Sequence, residues 1–556
     1  MQSKLAVWHA LLAFCAAAPY REPRPSVLTT RGRVEGLLTQ NSEAFLGVPF
    51  AEPPLGDARF LPARLKQPWK PKTLEARGFA KACWQGDDNA TLYSEDCLML
   101  NIWRPLNTES TDRLPVLVYI HGGAFSGGGI WVQDSVQLGD VFAARQQVIF
   151  VTIAYRLGPL GFLALEELRP VSAGGNGGMN GVYDQIIALR FLQEELSYFG
   201  GDPSKVTVVG ESAGGQSVTG LLVSPEARGL FRAVVIESGA AAFSPLWRFG
   251  NHSEGITRGQ LFMSSRKCSD LECLRQLPAS DMYWHAKGSV PKVVHEWFRD
   301  YLWTDAWVDG RVLPMNKTVS ELLQDSSNLN AQRIMLGANS ADGVTIYAPF
   351  DWLPPFWSNS SLLYTSSMSM WWKTFYHLHA PHVQQVYPLR NYGGNALVAF
   401  VEADGDYTVT CPTLALANAT YALGVPTYLY MFAHNTQADT SYWSGWKVPP
   451  SFASHGAELP FVFGRPGDGV SFENEDWLLA NATQDYWGAF VREGDPNAGK
   501  HAPWPQFQGH RGLHMRLQGS GPQPADDYRF ELCNFWKQYM MLSELETAAG
   551  LVEVTV

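Results

Sequence analysis

Short runs of consecutive apolar residues, many of them β-branched or aromatic, recur along the chain: Val116 to Ile120, Val148 to Ala154, Val206 to Val209, Ala233 to Glu237, Arg333 to Leu336 and Thr427 to Phe432. Runs that are apolar at every position, rather than alternating, belong to strands buried on both faces. Helix-compatible segments such as Tyr183 to Tyr198 lie between them. Strands alternating with helices predict an α/β fold with a large, mostly parallel central sheet flanked by helices. The 556 residues contain no linker, charge block or repeat that would separate domains. A single domain is therefore expected over residues 19–556.

Composition sharpens this picture. Charged residues make up 17% of the chain and hydrophobic ones 46%, against roughly 25% charged in average proteins, which suits a large sheet covered on both sides. A net charge of -11 argues against nucleic acid or anionic membranes as partners. The first 18 residues carry Lys4, an apolar run from Leu5 and Ala16-Ala17-Ala18 before Pro19. This reads as a secretory signal peptide, too short for a membrane span. No second spanning stretch follows, and the end at Val554-Thr555-Val556 shows neither a lipid-anchor tail nor a retention signal. A secreted, extracellular protein is expected. Of 7 cysteines, Cys15 falls in the signal peptide, leaving 7 − 1 = 6, an even number that suits an oxidising compartment and allows 15 connectivities. Sequons at Asn89, Asn251, Asn316, Asn359, Asn418 and Asn481 are compatible with a glycoprotein.

The chemistry is carried by Gly210-Glu211-Ser212-Ala213-Gly214, which follows the run Val206 to Val209. A G-x-S-x-G between a strand and a helix is the nucleophile elbow, which lifts a serine Oγ above the sheet. A serine hydroxyl is a weak nucleophile, so it needs a base and an acid to orient that base. In order along the chain come Asp342, in Asn339-Ser340-Ala341-Asp342-Gly343, and His455, in Ser454-His455-Gly456-Ala457-Glu458-Leu459. The order serine, acid, histidine is that of the α/β-hydrolases. Upstream, Val116 to Ile120 runs into His121-Gly122-Gly123-Ala124-Phe125, an oxyanion loop whose small residues leave backbone N–H groups able to face a ligand.

These motifs have company. Arg31 to Gly36, Phe45-Leu46-Gly47-Val48-Pro49-Phe50-Ala51, Ser94 to Trp103, Tyr155-Arg156-Leu157-Gly158, Asn180 to Gln185 and Phe199-Gly200-Gly201-Asp202-Pro203 occur in one order. Together they make the chain resemble the type-B carboxylesterase and cholinesterase family, from Arg31 to around Cys533. The resemblance implies an α/β-hydrolase fold and a serine esterase. It implies Ser212, Asp342 and His455 as the triad and the N–H groups of Gly123, Ala124 and Ala213 as the oxyanion hole. It also implies disulfides Cys83 with Cys97, Cys268 with Cys273, and Cys411 with Cys533. Two positions depart from the family pattern: Asp342 stands where glutamate is usual, and Ala124 replaces a glycine, which keeps the N–H donor.

Further expectations concern the surroundings. Glu211 either orders water or tunes His455, or is simply a hydrogen-bonded elbow residue. Ser238 and Glu458 resemble a supporting pair that holds His455 and its loop. His121 is read as a brace, and His377, His379 and His382 as a surface cluster rather than a metal site. The Cys83 to Cys97 loop is too short to carry the choline-stacking tryptophan of cholinesterases or a lipase lid, and Trp84 is read as packing on the disulfide. Phe125, Trp247, Trp303 and Phe350 are candidates to line the substrate pocket. No cofactor and no metal are required, and the partner expected is a small carboxylic ester. Two other readings stay open: a non-catalytic adhesion or binding protein of the same fold, and a lipase acting on long-chain esters.

Overall fold

The computed structural model describes residues 24–538 except 86–88, 131–137, 173–174, 245–247, 283–305, 344–379, 395, 436–452, 468–470, 498–500 and 510–511. The expected signal peptide over residues 1–18, Asn359, Trp247, Trp303, Phe350, His377 and His379 lie outside the described residues.

The centre is an 11-stranded sheet. In chain order its strands are β1 (Leu37–Leu38), β2 (Ser42–Pro49), β3 (Met99–Pro105), β4 (Leu114–Ile120), β5 (Ile149–Ile153), β6 (Gly201–Glu211), β7 (Ala233–Glu237), β8 (Arg333–Asn339), β9 (Thr427–Phe432), β10 (His514–Leu517) and β11 (Gln523–Ala525). The spatial order is β11-β10-β9-β8-β7-β6-β4-β5-β3-β2-β1. From β5 to β10 every neighbouring pair is parallel, while β1, β2 and β3 at one edge and β11 at the other pair antiparallel. The expected strands are thus the parallel heart of the sheet, and they are buried throughout their apolar runs.

Helices cover both faces. The segment expected to be helical over Tyr183 to Tyr198 forms α1 (Asn180–Glu195), followed by a 3-10 turn (Leu196–Phe199). Gly200 ends that turn at φ 89°, a left-handed conformation that favours glycine. The elbow helix is α2 (Ala213–Val223), α3 (Ala396–Gly405) lies behind the acid loop, and α4 (Cys411–Ala422) follows a π-helical turn (Asp406–Thr410). The short α5 (Leu459–Phe463) and the long α6 (Asn474–Glu493) close the opposite face. No described helix is long and apolar enough to cross a membrane. The three disulfides pair Cys83 with Cys97, Cys268 with Cys273 and Cys411 with Cys533. Two sequence motifs prove to be halves of one buried ion pair: Arg156 of Tyr155-Arg156 meets Asp184 of Asn180 to Gln185 at 2.6 Å.

One row across the sheet sets up the site. Glu211 of β6, Glu237 of β7, Gly337 of β8 and Tyr430 of β9 are successive register partners. Paired residues of parallel strands project to the same side, so Gly337 leaves the space that the Tyr430 ring occupies. A Cβ at Gly337 would lie 2.3 Å from that ring. Tyr430 is fully buried and packed against Trp487, with centroids 5.2 Å apart, so it has nowhere to retreat. Gly337→Ala is expected to lower stability by about 1–3 kcal/mol, the usual range for overpacking, as read from denaturant midpoints; an unchanged midpoint would contradict this packing.

Candidate active site

Ser212 joins β6 to α2 at φ 57° and ψ −124°. A non-glycine residue in so sparsely populated a region is held there by its surroundings. Two features hold it. Its N–H donates to the Glu237 carbonyl at 2.9 Å, and the turn is walled by Gly210 and Gly214, where a Cβ would lie 2.4 Å from Gly214 backbone and 2.0 Å from the Ile120 carbonyl oxygen respectively. Only glycine lets the strand end, the elbow and the oxyanion loop approach so closely.

Asp342 and His455 meet as the sequence order implied. His455 Nδ1 is 2.8 Å from Asp342 Oδ1. The other carboxylate oxygen accepts from Ser238 Oγ at 3.0 Å and from the Asn339 N–H at 2.6 Å. The side chain is one methylene shorter than glutamate, yet it reaches because the backbone brings it close. Ala341 N–H donates to Ala453 O at 3.0 Å, and Ser340 N–H to Phe432 O at 2.8 Å. Ala341 also forms a parallel bridge with Ser454, so the acid loop and the histidine loop are paired directly.

Glu211 lies against the imidazole on its other side. Its Oε1 is 3.2 Å from His455 Nε2, the nitrogen opposite the one that faces Asp342. Ser238 and Glu458 support the site by separate routes. Ser238 holds Asp342, whereas Glu458 accepts the side-chain amide of Asn339, so both act on the acid loop. His121 is a brace, as read: it is buried, its ring stacks on Tyr155 with centroids 4.4 Å apart, and its Nδ1 lies 2.8 Å from the Gly122 carbonyl oxygen. Burial pushes its pKa down to about 4, so the Nδ1–H of a neutral ring donates.

The oxyanion loop turns at Gly123, Ala124 and Phe125, with φ of 102°, 53° and 54°. Ala213 is the first residue of α2, where backbone N–H groups have no intrahelical partner. Phe125 is buried against Phe162 and Tyr155, with centroids 4.7 Å and 6.4 Å away; its ring is part of the core. Trp84 shares a small cavity wall with Cys83 and Cys97 and sits edge-on to Tyr93 at 6.4 Å, a packing role. Among the described residues no group of three metal-ligating side chains comes together.

The electrostatics are dominated by buried acids. Burial raises Glu211 to about 7, with the His455 cation opposing the rise and Asp342 adding to it. Burial alone would lower His455, but Glu211, Asp342 and Glu458 outweigh it and hold the imidazole at about 9. Sequence reasoning missed Glu237, which lies in the row of Glu211 and whose carbonyl holds the Ser212 amide. Its one local signal is a carboxylate ending an otherwise apolar strand, Ala233-Val234-Val235-Ile236-Glu237.

Two expectations follow from this geometry. A base must be neutral to accept a proton, so kcat/KM is expected to rise with pH through a limb well above the ordinary imidazole value of about 6.5. Glu211→Gln removes the largest anionic influence on His455, and the limb is expected to move down by about one unit or more; a limb that stays put would contradict the pairing. Asp342→Asn keeps the shape but loses the orienting charge, and kcat is expected to fall by about two orders of magnitude or more. Near wild-type turnover would mean that another carboxylate orients the histidine.

Comparison with known proteins identifies the family. The carboxylesterase family matches residues 23–536. Carboxylesterase 1E of Mus musculus is 30% identical, with 97% of each chain covered. Liver carboxylesterase of Sus scrofa is 30% identical over 93% of each chain. Pyrethroid hydrolase Ces2e of Rattus norvegicus is 30% identical, covering 92% of this chain and 89% of its own. With the family matched over nearly its whole length and an open α/β sheet beneath the paired acid and histidine, the chain belongs to the carboxylesterase family and is a carboxylic ester hydrolase.

Proposed function

We propose that the protein is a secreted serine carboxylesterase that works through an acyl-enzyme on Ser212. The observation that carries this reading is the Asp342–His455 pair at 2.8 Å, with His455 Nε2 3.2 Å from Glu211, the residue next to an elbow serine held at φ 57°. His455 Nε2 takes the Ser212 proton as Oγ attacks the ester carbonyl. The developing oxyanion is held by the N–H groups of Gly123, Ala124 and Ala213, one such donor being worth about 2.7–4 kcal/mol in comparable sites. His455 then protonates the leaving alcohol, and water repeats the two steps on the acyl-enzyme. The imidazolium formed midway sits between Asp342 and Glu211, so its charge is balanced on both ring nitrogens.

Secretion is supported by the signal-like residues 1–18 and by three disulfides, which persist in oxidising compartments. Glycosylation is supported by sequons at Asn316 and Asn418, both exposed. The short Cys83–Cys97 loop, 14 positions long, favours soluble esters over an interface-activated lipase.

A p-nitrophenyl ester series from acetate to palmitate tests the reading. Rates are expected to peak at short chains and to vanish in Ser212→Ala, and a fluorophosphonate is expected to label wild type but not the variant. Labelling and turnover that survive Ser212→Ala would overturn the assignment. A jump in rate as a long-chain ester passes its solubility limit would favour a lipase.

A further inference from the structure

Glu237 takes no part in the reaction above, yet it occupies the most constrained position behind it. The residue is wholly buried. Its carbonyl oxygen accepts the Ser212 N–H at 2.9 Å, and its Oε1 accepts the indole N–H of Trp487 in α6 at 2.7 Å. Its Oε2 has no hydrogen-bond partner among the described residues, and neither has Glu458 Oε1 nor the Tyr430 hydroxyl. No described arginine, lysine or histidine pairs with either glutamate within ion-pair distance. The groups whose charge bears on this layer come from every side: Glu211 from β6, Asp342 from the acid loop, Glu458 and His455 from the histidine loop, Tyr430 from β9 and Tyr528 near the C-terminus.

A carboxylate in the interior with few neutral donors is costly, and two such carboxylates whose charges repel are costlier still. A proton kept on one of the pair removes that repulsion and adds a donor to a layer in which Glu237 Oε2, Glu458 Oε1 and the Tyr430 hydroxyl have no partner among the described residues. We propose that Glu237 is a positioning residue kept as a neutral carboxylic acid, whose O–H serves Glu458 while its other oxygens hold Trp487 and the Ser212 amide, leaving Glu458 as the member that ionises.

The distribution of partners fits. Glu458 accepts from the Asn339 amide and from its own backbone N–H, two bonds that favour its charged form, whereas the Glu237 side chain accepts from the Trp487 indole alone; Glu458 accordingly rises only to about 8, through burial and the anions Glu211 and Asp342. Burial and then Glu458 push Glu237 well above the carboxylate range. Among the influences on His455, Glu458 is an anion that raises it. Glu237 therefore acts on the base through Glu458, by keeping it ionisable.

The test is the pH dependence of kcat/KM in three variants, each first checked by thermal melting. Glu458→Gln removes an anion beside His455 and is expected to move the acid limb down by about half a unit or more. Glu237→Gln replaces one neutral donor with another and is expected to move it by less than half as much. Glu237→Leu removes the donor, so Glu458 keeps a proton and the limb is expected to follow that of Glu458→Gln. A shift in Glu237→Gln equal to or larger than that in Glu458→Gln would place the charge on Glu237 and overturn the proposal. So would a Glu237→Leu limb that stays with wild type. Should Glu237→Leu fail to fold, the two isosteric glutamine variants decide alone. The inference rests on His455 as the base; turnover surviving in His455→Gln would sink that reading and is separable from either outcome here.

Discussion

Where β6 and β7 end they are in register with each other and with Gly337 of β8, two residues before that strand ends, and this row carries the hydrogen bonds on which the site hangs. The last residue of β6 precedes Ser212, and the last residue of β7 offers its carbonyl to the Ser212 amide. The next residue along, Ser238, donates its N–H to Gly337 O of β8 and its hydroxyl to Asp342. Sheet pairing is thus continued beyond the strands by bonds that fix the serine and the acid against each other. Because parallel register is cooperative along several strands, a shift at any of them would move both groups, which is a strong reason for this edge to be buried on both faces.

The same edge concentrates negative charge where the dielectric is low. Asp342, Glu211, Glu237 and Glu458 are all at least nine-tenths buried, and among the described residues His455 is the one group that pairs with any of them as a cation. The consequence has two sides. An imidazolium formed in this place is stabilised by both neighbours, which assists a reaction that passes through that state. The same stabilisation resists deprotonation in the resting enzyme, moving the working range toward alkaline pH. Acids that keep their protons are therefore part of the design: each protonated carboxyl returns the layer closer to neutrality while still supplying a hydrogen bond.

How much of this could be read from the chain varies with the range of the interaction. The parallel strands were legible because burial on both faces makes each an unbroken apolar run, as in Val206 to Val209 or Thr427 to Phe432. The antiparallel edge was not, since Ser42–Pro49 mixes polar and apolar positions and carries a register irregularity between Phe45 and Val48. The elbow at Ser212 and the pairing of Asp342 with His455 were legible from short motifs in a fixed order. Glu237 was not, because a carboxylate after four apolar residues reads equally well as a strand leaving the core. What makes it special is an indole 250 positions away and a register partner on another strand, and neither leaves a trace in local spacing. Ser238 and Glu458 were picked out as one support, but they act on different atoms, Asp342 Oδ2 and the Asn339 amide.

The shorter acid shows what the backbone contributes. Aspartate in place of glutamate withdraws the carboxylate toward the main chain by about one C–C bond, on the order of 1.5 Å, enough to break a 2.8 Å contact if nothing else moved. Here the acid loop is fastened to the histidine loop by the Ala341 N–H bond to Ala453 and by Asn339 Nδ2, which reaches the Ser454 carbonyl at 2.8 Å. Behind it Gly343 packs so tightly on α3 that a Cβ there would lie 2.2 Å from the Val401 carbonyl oxygen. The loop is therefore pressed from behind and drawn from in front, and the distance the side chain must span is set by those backbone contacts. Lengthening the side chain alone would push the carboxylate past Nδ1 or away from Ser238. The aspartate and its loop are a matched pair, and exchanging one without the other would cost geometry that neither residue can restore alone.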